Sequence, residues 1–283
     1  MAAYQNCYWL SADGLKLHYR LYPGDETLPP LLCLPGLTRN ARDFDALAAR
    51  LAGRRRVIAV DLRGRGRSDY AKDPMTYVPA TYVADIQALL AEQGIARFVA
   101  VGTSLGGIVT MLLAAAGAPI AGALINDVGP EIDPAGLARI RGYVGKGSSF
   151  PTWMHAARAV AEANGDIYPG WHIEDWLAMA KRLYRLNSGG RIVLDYDLKI
   201  AEPFRVPGNE AGPDMWAALT SLRDVPTLLV RGGRSDVLSQ PVADRMIAAL
   251  DRAELVTVAG VGHAPTLAEA ALHGPIDAWL ART

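Results

Sequence analysis

The sequence predicts an α/β fold: a parallel sheet covered by helices on both faces, interrupted by a helical insertion before the last two strands. Three observations carry that reading. Short apolar runs rich in Val, Ile and Leu alternate with amphipathic stretches of helical length. The alternation breaks off after Asp127-Val128-Gly129-Pro130 and resumes only near Thr227. The chain has 283 residues, 51% hydrophobic and 20% charged, enough for one large domain with a substantial core.

The elements follow in order. Residues 4–11 and 15–22 read as two strands joined at Asp13-Gly14, a dipeptide that favours a hairpin turn. Leu31-Leu32-Cys33-Leu34 is a buried strand stopped by Pro35-Gly36. A helix over 41–52 puts Phe44, Leu47, Ala48 and Leu51 on one face. Val57–Val60 is a further strand, followed by Asp61-Leu62-Arg63-Gly64-Arg65-Gly66-Arg67-Ser68. A helix runs from about Ala80 to Gln93 and stops at Gly94. The strand over 97–101 leads through a glycine turn into a helix ending near Ala116, and Ile120–Ile125 is the next strand.

Residues 131–215 read as a helical cap, rich in Trp, Tyr, Met and Ala. Its end, Asp195–Ile200, is expected to return to the core in extended form. The core then divides into 1–130 and 216–283. Thr227–Val230 and Leu255–Val258 are the last strands, each followed by a helix, the second ending at Leu280.

Composition narrows the function classes. Formal net charge is zero, which favours neither nucleic acid nor an anionic membrane as partner. The arginines at 54–56, 63, 65 and 67 read as solvated faces and loop-bracing contacts. Two cysteines, Cys7 and Cys33, are too few for a disulfide framework or a Cys-based zinc site. No histidine pair has metal-ligand spacing, so no metal is expected. Gly64–Asp69 lacks the third glycine of a dinucleotide fingerprint, and no cofactor is expected. The first residues carry neither a basic region nor an apolar run, and no apolar stretch reaches membrane-span length. A cytoplasmic location is the expectation.

The chemistry centres on Gly102-Thr103-Ser104-Leu105-Gly106, set between an apolar β-branched run and an apolar helical run. This is the form of a nucleophile elbow, where glycines flank a serine on a sharp strand-to-helix turn. A serine hydroxyl needs a base, and the base needs an orienting carboxylate. In parallel sheets such groups gather after the carboxyl ends of strands. His263 follows the Leu255–Val258 strand and is the expected base. Asp236 follows the Thr227–Val230 strand and is the favoured acid. Asp127, also after a strand, is its rival, with Gly129-Pro130 suggesting that it turns the chain into the insertion. The Leu105 N–H and the Leu37 N–H are the expected donors to an oxyanion.

With these residues in hand the chain resembles an α/β-hydrolase-fold serine hydrolase. The resemblance rests on Leu34–Leu37, Asp61–Ser68, Gly102–Gly106, Gly232–Asp236 and Gly262-His263. It implies a mostly parallel eight-stranded central sheet and a helical cap over the active site. One departure is Leu34-Pro35-Gly36, where relatives often carry His-Gly before the oxyanion loop. A serine at 104 argues against the epoxide hydrolases and haloalkane dehalogenases of the family, which use an aspartate there.

The resemblance implies a carboxylic ester hydrolase acting on a small-molecule ester without metal or cofactor. A carbon–carbon bond hydrolase and an enol-lactonase share the same triad, and a ligand-sensing module with an idle triad is the alternative of another class. Phe150, Trp153, Tyr168, Trp171, Trp176 and Trp216 are either core or pocket lining; Trp153, Trp171 and Trp216 are the chosen substrate contacts. The group they contact is expected to be apolar or aromatic rather than highly charged.

Overall fold

A computed structural model describes residues 3–206 and 213–283. Met1, Ala2 and residues 207–212, the last near the end of the expected cap, lie outside the described residues.

The central sheet has eight strands in the order β1-β2-β4-β3-β5-β6-β10-β11. These are β1 (Gln5–Leu10), β2 (Lys16–Tyr22), β3 (Leu31–Leu34), β4 (Val57–Asp61), β5 (Phe98–Thr103), β6 (Ile120–Asn126), β10 (Thr227–Gly232) and β11 (Ala253–Val258). β1 pairs antiparallel with β2, and β2 antiparallel with β4. Every other pair is parallel.

Side chains alternate across the sheet and explain why these strands read as unbroken apolar runs. Val99 and Val101 of β5 face one core with Phe44 and Leu47, which flank and form α1 (Asp45–Leu51), and with Trp279 of α9 (Ala270–Leu280). Phe98 and Ala100 face the other, with Ile86 and Leu89 of α2 (Pro79–Glu92) and Val109 of α3 (Leu105–Ala115). Further along that side, Ile125 and Leu229 pack on Ala218 of α7 (Met215–Thr220) and Met246 of α8 (Gln240–Ala249). The expected helix over 41–52 is a 3₁₀ turn, Ala41–Phe44, running into α1. Asn40 starts that turn by accepting the Arg42 N–H.

Between β6 and β10 the chain builds α4 (Pro134–Tyr143), α5 (Trp153–Asn164) and α6 (Ile173–Leu183). It also forms a small sheet of β7 (Ser149–Phe150), β8 (Tyr184–Leu186) and β9 (Ile192–Leu194), which the sequence reading did not foresee. Strands of two or three residues are too short to carry a period. α6 buries Trp176, Met179 and Ala180 on one face, against Ala156, Ala157 and Val160 of α5. The expected extended return at Asp195–Ile200 is corrected: Tyr196 makes one bridge to Arg65, and a 3₁₀ segment, Leu198–Arg205, follows. Asp197 initiates it by accepting the Lys199 N–H.

The Asp61–Ser68 loop braces the site from below. Asp61 accepts from His18 Nδ1, the Ala41 N–H and the Arg67 N–H at 2.7, 2.7 and 2.9 Å. Arg63 is 2% exposed and forks onto Asp85 at 2.6 and 2.7 Å. Arg65, fully buried, donates from Nε to the Leu37 carbonyl at 2.9 Å. Of the two roles expected for these arginines, positions 63 and 65 take the bracing one. Replacing Arg63 by methionine would strand the buried Asp85 carboxylate, a loss of about 3–5 kcal/mol. Urea unfolding of Arg63→Met should therefore give a much lower midpoint, and a midpoint equal to wild type would mean Asp85 finds another partner.

Among the described residues no helix is long and apolar enough to cross a membrane.

Candidate active site

Ser104 follows β5 directly and caps α3 with φ 52° and ψ −115°, a conformation uncommon for a residue with a β-carbon. The turn around it is tight. A β-carbon on Gly102 would lie 2.3 Å from the Gly106 carbonyl oxygen, and one on Gly106 would lie 1.9 Å from that of Leu34. Glycine at both positions is thus a packing requirement.

The carboxyl ends of three neighbouring strands then assemble the polar groups in a row. The Ser104 N–H donates to the Asn126 carbonyl at the end of β6 at 2.9 Å, and the Asp127 N–H donates to the Val230 carbonyl on β10 at 2.7 Å. Asp127 itself has φ 59°, the left-handed region that Asp and Asn tolerate best among residues with a side chain. Its carboxylate is completely buried. Oδ1 accepts the Gly232 N–H at 2.8 Å, and Oδ2 accepts from His263 Nδ1 at 2.9 Å. A carboxylate only accepts, so Nδ1 carries the proton and Nε2 is left to accept the Ser104 hydroxyl, 3.0 Å away. Asn126 fixes the histidine loop, donating from Nδ2 to the Pro265 carbonyl at 2.8 Å.

The partner of His263 is therefore Asp127, where the sequence favoured Asp236. Asp236 stands four residues beyond β10, is 36% exposed, and forks onto Arg139 of α4. That guanidinium holds its carboxyl below the usual carboxylate range. Strand position alone could not separate the two acids; the separating fact is a cation 97 positions away that claims Asp236.

Leu105 is the first residue of α3 and Leu37 lies in the turn after β3. Neither N–H has a protein acceptor among the described residues. The Leu37 carbonyl is the one Arg65 holds, and the β-carbon position of Gly36 lies 3.7 Å from that of Ser104, so this turn abuts the nucleophile. Free N–H groups at a helix start and in an adjacent turn can receive developing negative charge.

Ser104 and His263 open onto a cavity of about 580 Å³ between the core loops and the insertion. Of the aromatics singled out from sequence, Tyr168 lines it; Trp153, Trp171 and Trp216 do not. Trp171 stacks behind Tyr168 with ring centroids 4.0 Å apart, and Trp153 packs in the insertion's own core. Trp216 lies outside, donating to Glu131 at 2.8 Å beneath Arg245. Tryptophan is large enough to serve the core of a small insertion, and that is where two of these are used. The walls are instead tyrosines (Tyr143, Tyr168, Tyr184 and Tyr196) together with Arg39, Arg139 and Arg182. Guanidinium groups in this cavity were not foreseen, since their turning inward is set by how the insertion packs on the core, which no local pattern records.

The insertion is fastened to the core around this cavity. The Arg182 carbonyl accepts from Asn40 Nδ2 and Arg42 Nη2, both at 2.8 Å. The Gly262 N–H donates to the Ile167 carbonyl at 2.9 Å, and the Tyr168 hydroxyl donates to the Ala264 carbonyl. The latter two bonds tie the insertion to the loop that carries His263.

Comparison with known proteins agrees with the fold. A solved alpha/beta hydrolase from Novosphingobium aromaticivorans is 58% identical, covers 100% of both chains and superposes with a TM-score of 0.95. The 3-hydroxybutyrate-oligomer hydrolase of Cupriavidus necator is 34% identical over 258 residues, 88% of this chain and 87% of that one. The 2-(acetamidomethylene)succinate hydrolase of Mesorhizobium japonicum is 27% identical over 83% of this chain and 81% of its own. The model of the alpha/beta hydrolase family matches residues 31–273. With its eight-stranded sheet, serine elbow and these relatives, the chain belongs to the alpha/beta hydrolase family and is a hydrolase.

Proposed function

We propose that the protein is a serine hydrolase that cleaves the carboxylic ester of a small substrate with an apolar or aromatic part, through an acyl-enzyme. One observation carries the reading: the continuous hydrogen-bond chain from Ser104 Oγ through His263 to the buried Asp127. In this scheme His263 Nε2 takes the serine proton as Oγ attacks the carbonyl carbon. Asp127 keeps the imidazole in the required tautomer and stabilises the imidazolium. The Leu37 and Leu105 N–H groups receive the oxyanion. Protonated His263 hands its proton to the departing alkoxide, and water activated by the same nitrogen then releases the acid.

The Cupriavidus relative supports an ester as substrate, since hydroxy-acid oligomers are joined by ester bonds. The insertion is read as a cap, because residues from it wall the cavity above Ser104.

The test is a substrate panel combined with active-site labelling. A fluorophosphonate should add once, to the peptide containing Ser104. Among an aryl ester, a lactone and a vinylogous diketone, the aryl ester should have the highest kcat/KM. A preference for the diketone would replace the ester reading with carbon–carbon bond hydrolysis, and a preference for the lactone with lactonase chemistry. Tight binding of all three without turnover would point to a sensing module.

A further inference from the structure

Arg182, at the C-terminal end of α6, lines the same cavity as Ser104 and His263. Its situation differs from that of its neighbour Arg39, which forks onto Asp43 with two bonds of 2.6 Å. No carboxylate lies within ion-pair distance of Arg182 among the described residues, and its guanidinium makes no hydrogen bond there. Its Nε is buried without any partner. Burial pushes its pKa down, and the nearby Asp43, which Arg39 already holds, offsets that only in part.

The backbone beside it is held firmly. The Arg182 carbonyl accepts from Asn40 and Arg42, which follow the turn carrying Leu37. The backbone that carries this guanidinium is therefore tied to the loop beside the catalytic floor.

The charges of the cavity wall do not balance. Asp43 is the one carboxylate lining it, and Arg39 already occupies that group. Arg139 is satisfied by Asp236. Arg182 is left over, with exposed Lys146 at the wall adding charge of the same sign. A half-buried guanidinium with a buried, unpartnered Nε is best completed by something anionic. One planar fork among tyrosine and leucine walls matches one carboxylate, two oxygens to two N–H groups.

We infer that Arg182 is a specificity-determining residue that binds a free carboxylate on the substrate, so that the favoured substrate is an ester of an organic acid bearing a second, uncondensed carboxyl group. The inference rests on the ester-hydrolase reading above and narrows its substrate class. It adds no chemical step: the carboxylate stays ionised and unreacted while Ser104 attacks the ester elsewhere in the same molecule.

The test compares p-nitrophenyl hydrogen glutarate with its methyl ester, which differ by one negative charge. Wild type should favour the acid by tenfold or more in kcat/KM, chiefly through KM. In Arg182→Gln that preference should fall at least tenfold, and Arg182→Lys, which keeps the charge but loses the fork, should lie between. A merely structural arginine would lower both substrates equally and leave the ratio unmoved. An unmoved ratio overturns the inference, as does a wild type that favours the methyl ester.

Calorimetric titration with monomethyl glutarate separates this inference from the one beneath it. If neither ester is turned over, the ester-hydrolase reading fails. Binding to wild type that is weakened tenfold in Arg182→Gln would still establish the carboxylate site, and equal binding would remove it. Should Arg182→Gln fail to fold, the wild-type preference and Arg182→Lys decide.

Discussion

Ser104→Ala is expected to lower kcat for an activated aryl ester by about a million-fold, as removal of the nucleophile does in other serine hydrolases. Fluorophosphonate labelling should vanish with it. The residual rate over water should be on the order of 10³–10⁴, supplied by the free N–H groups and by binding, which the substitution leaves alone. Retained labelling would mean that another nucleophile carries the reaction.

The same position makes a second, separable statement about stability. With φ at 52°, the Ser104 backbone stores about 1–3 kcal/mol of strain that any β-carbon imposes. Alanine keeps that strain and glycine releases it. Ser104→Gly should accordingly unfold in urea at a higher midpoint than Ser104→Ala, by about 1 kcal/mol in free energy. Equal midpoints would show that the elbow is relaxed.

Asp127→Asn should lower kcat by about 10⁴-fold. The geometry fixes the reason. Oδ1 of residue 127 is held as an acceptor by the Gly232 N–H, so the new amide nitrogen must take the Oδ2 position facing His263 Nδ1. An amide N–H there needs an unprotonated Nδ1, which moves the ring proton to Nε2 and turns it against the serine hydroxyl. Asp236→Asn removes only a partly exposed ion pair with Arg139, worth about 0–1 kcal/mol, and should change kcat by less than about fivefold. Steady-state kcat of each variant on the aryl ester checks the assignment: it should collapse in Asp127→Asn and stay near wild type in Asp236→Asn. If the two variants exchange these behaviours, Asp236 is the working acid.

The contrast between these aspartates also marks what the sequence could convey. The core strands were legible because two-sided burial writes them as continuous apolar runs. The elbow was legible because glycines stand two before and two after the serine, Gly102 answering Gly106 four residues on and Gly106 answering Leu34 on the neighbouring strand. Ser104 and His263 follow from that framework, each just beyond a strand end. Asp127 was visible as a candidate but had no local mark separating it from Asp236. The choice depends on Arg139 reaching across from α4 and on a left-handed backbone at 127, both products of tertiary packing.

The cavity lining was the least legible part. Whether an aromatic residue faces inward on a helix or fills a small core is decided by how α5 and α6 pack, and here Trp153, Trp171 and Trp176 pack among themselves and their neighbours. The unpaired state of Arg182 is a property of three segments meeting, and no stretch of sequence contains it.

The acid's place just beyond β6 has a consequence for how this enzyme could be re-engineered. Ser104 and Asp127 are both encoded before the insertion begins, and only His263 must be recovered after it. Everything from α4 to the 3₁₀ segment can therefore be exchanged as a cassette without touching the acid or the nucleophile. The boundary condition lies at the other end of the ion pair: a donor segment without a cation at the position of Arg139 would leave Asp236 without its partner. A successful chimera thus requires two graft points in sequence, the Ile167 and Tyr168 bonds to the His263 loop, and one matched charge in space.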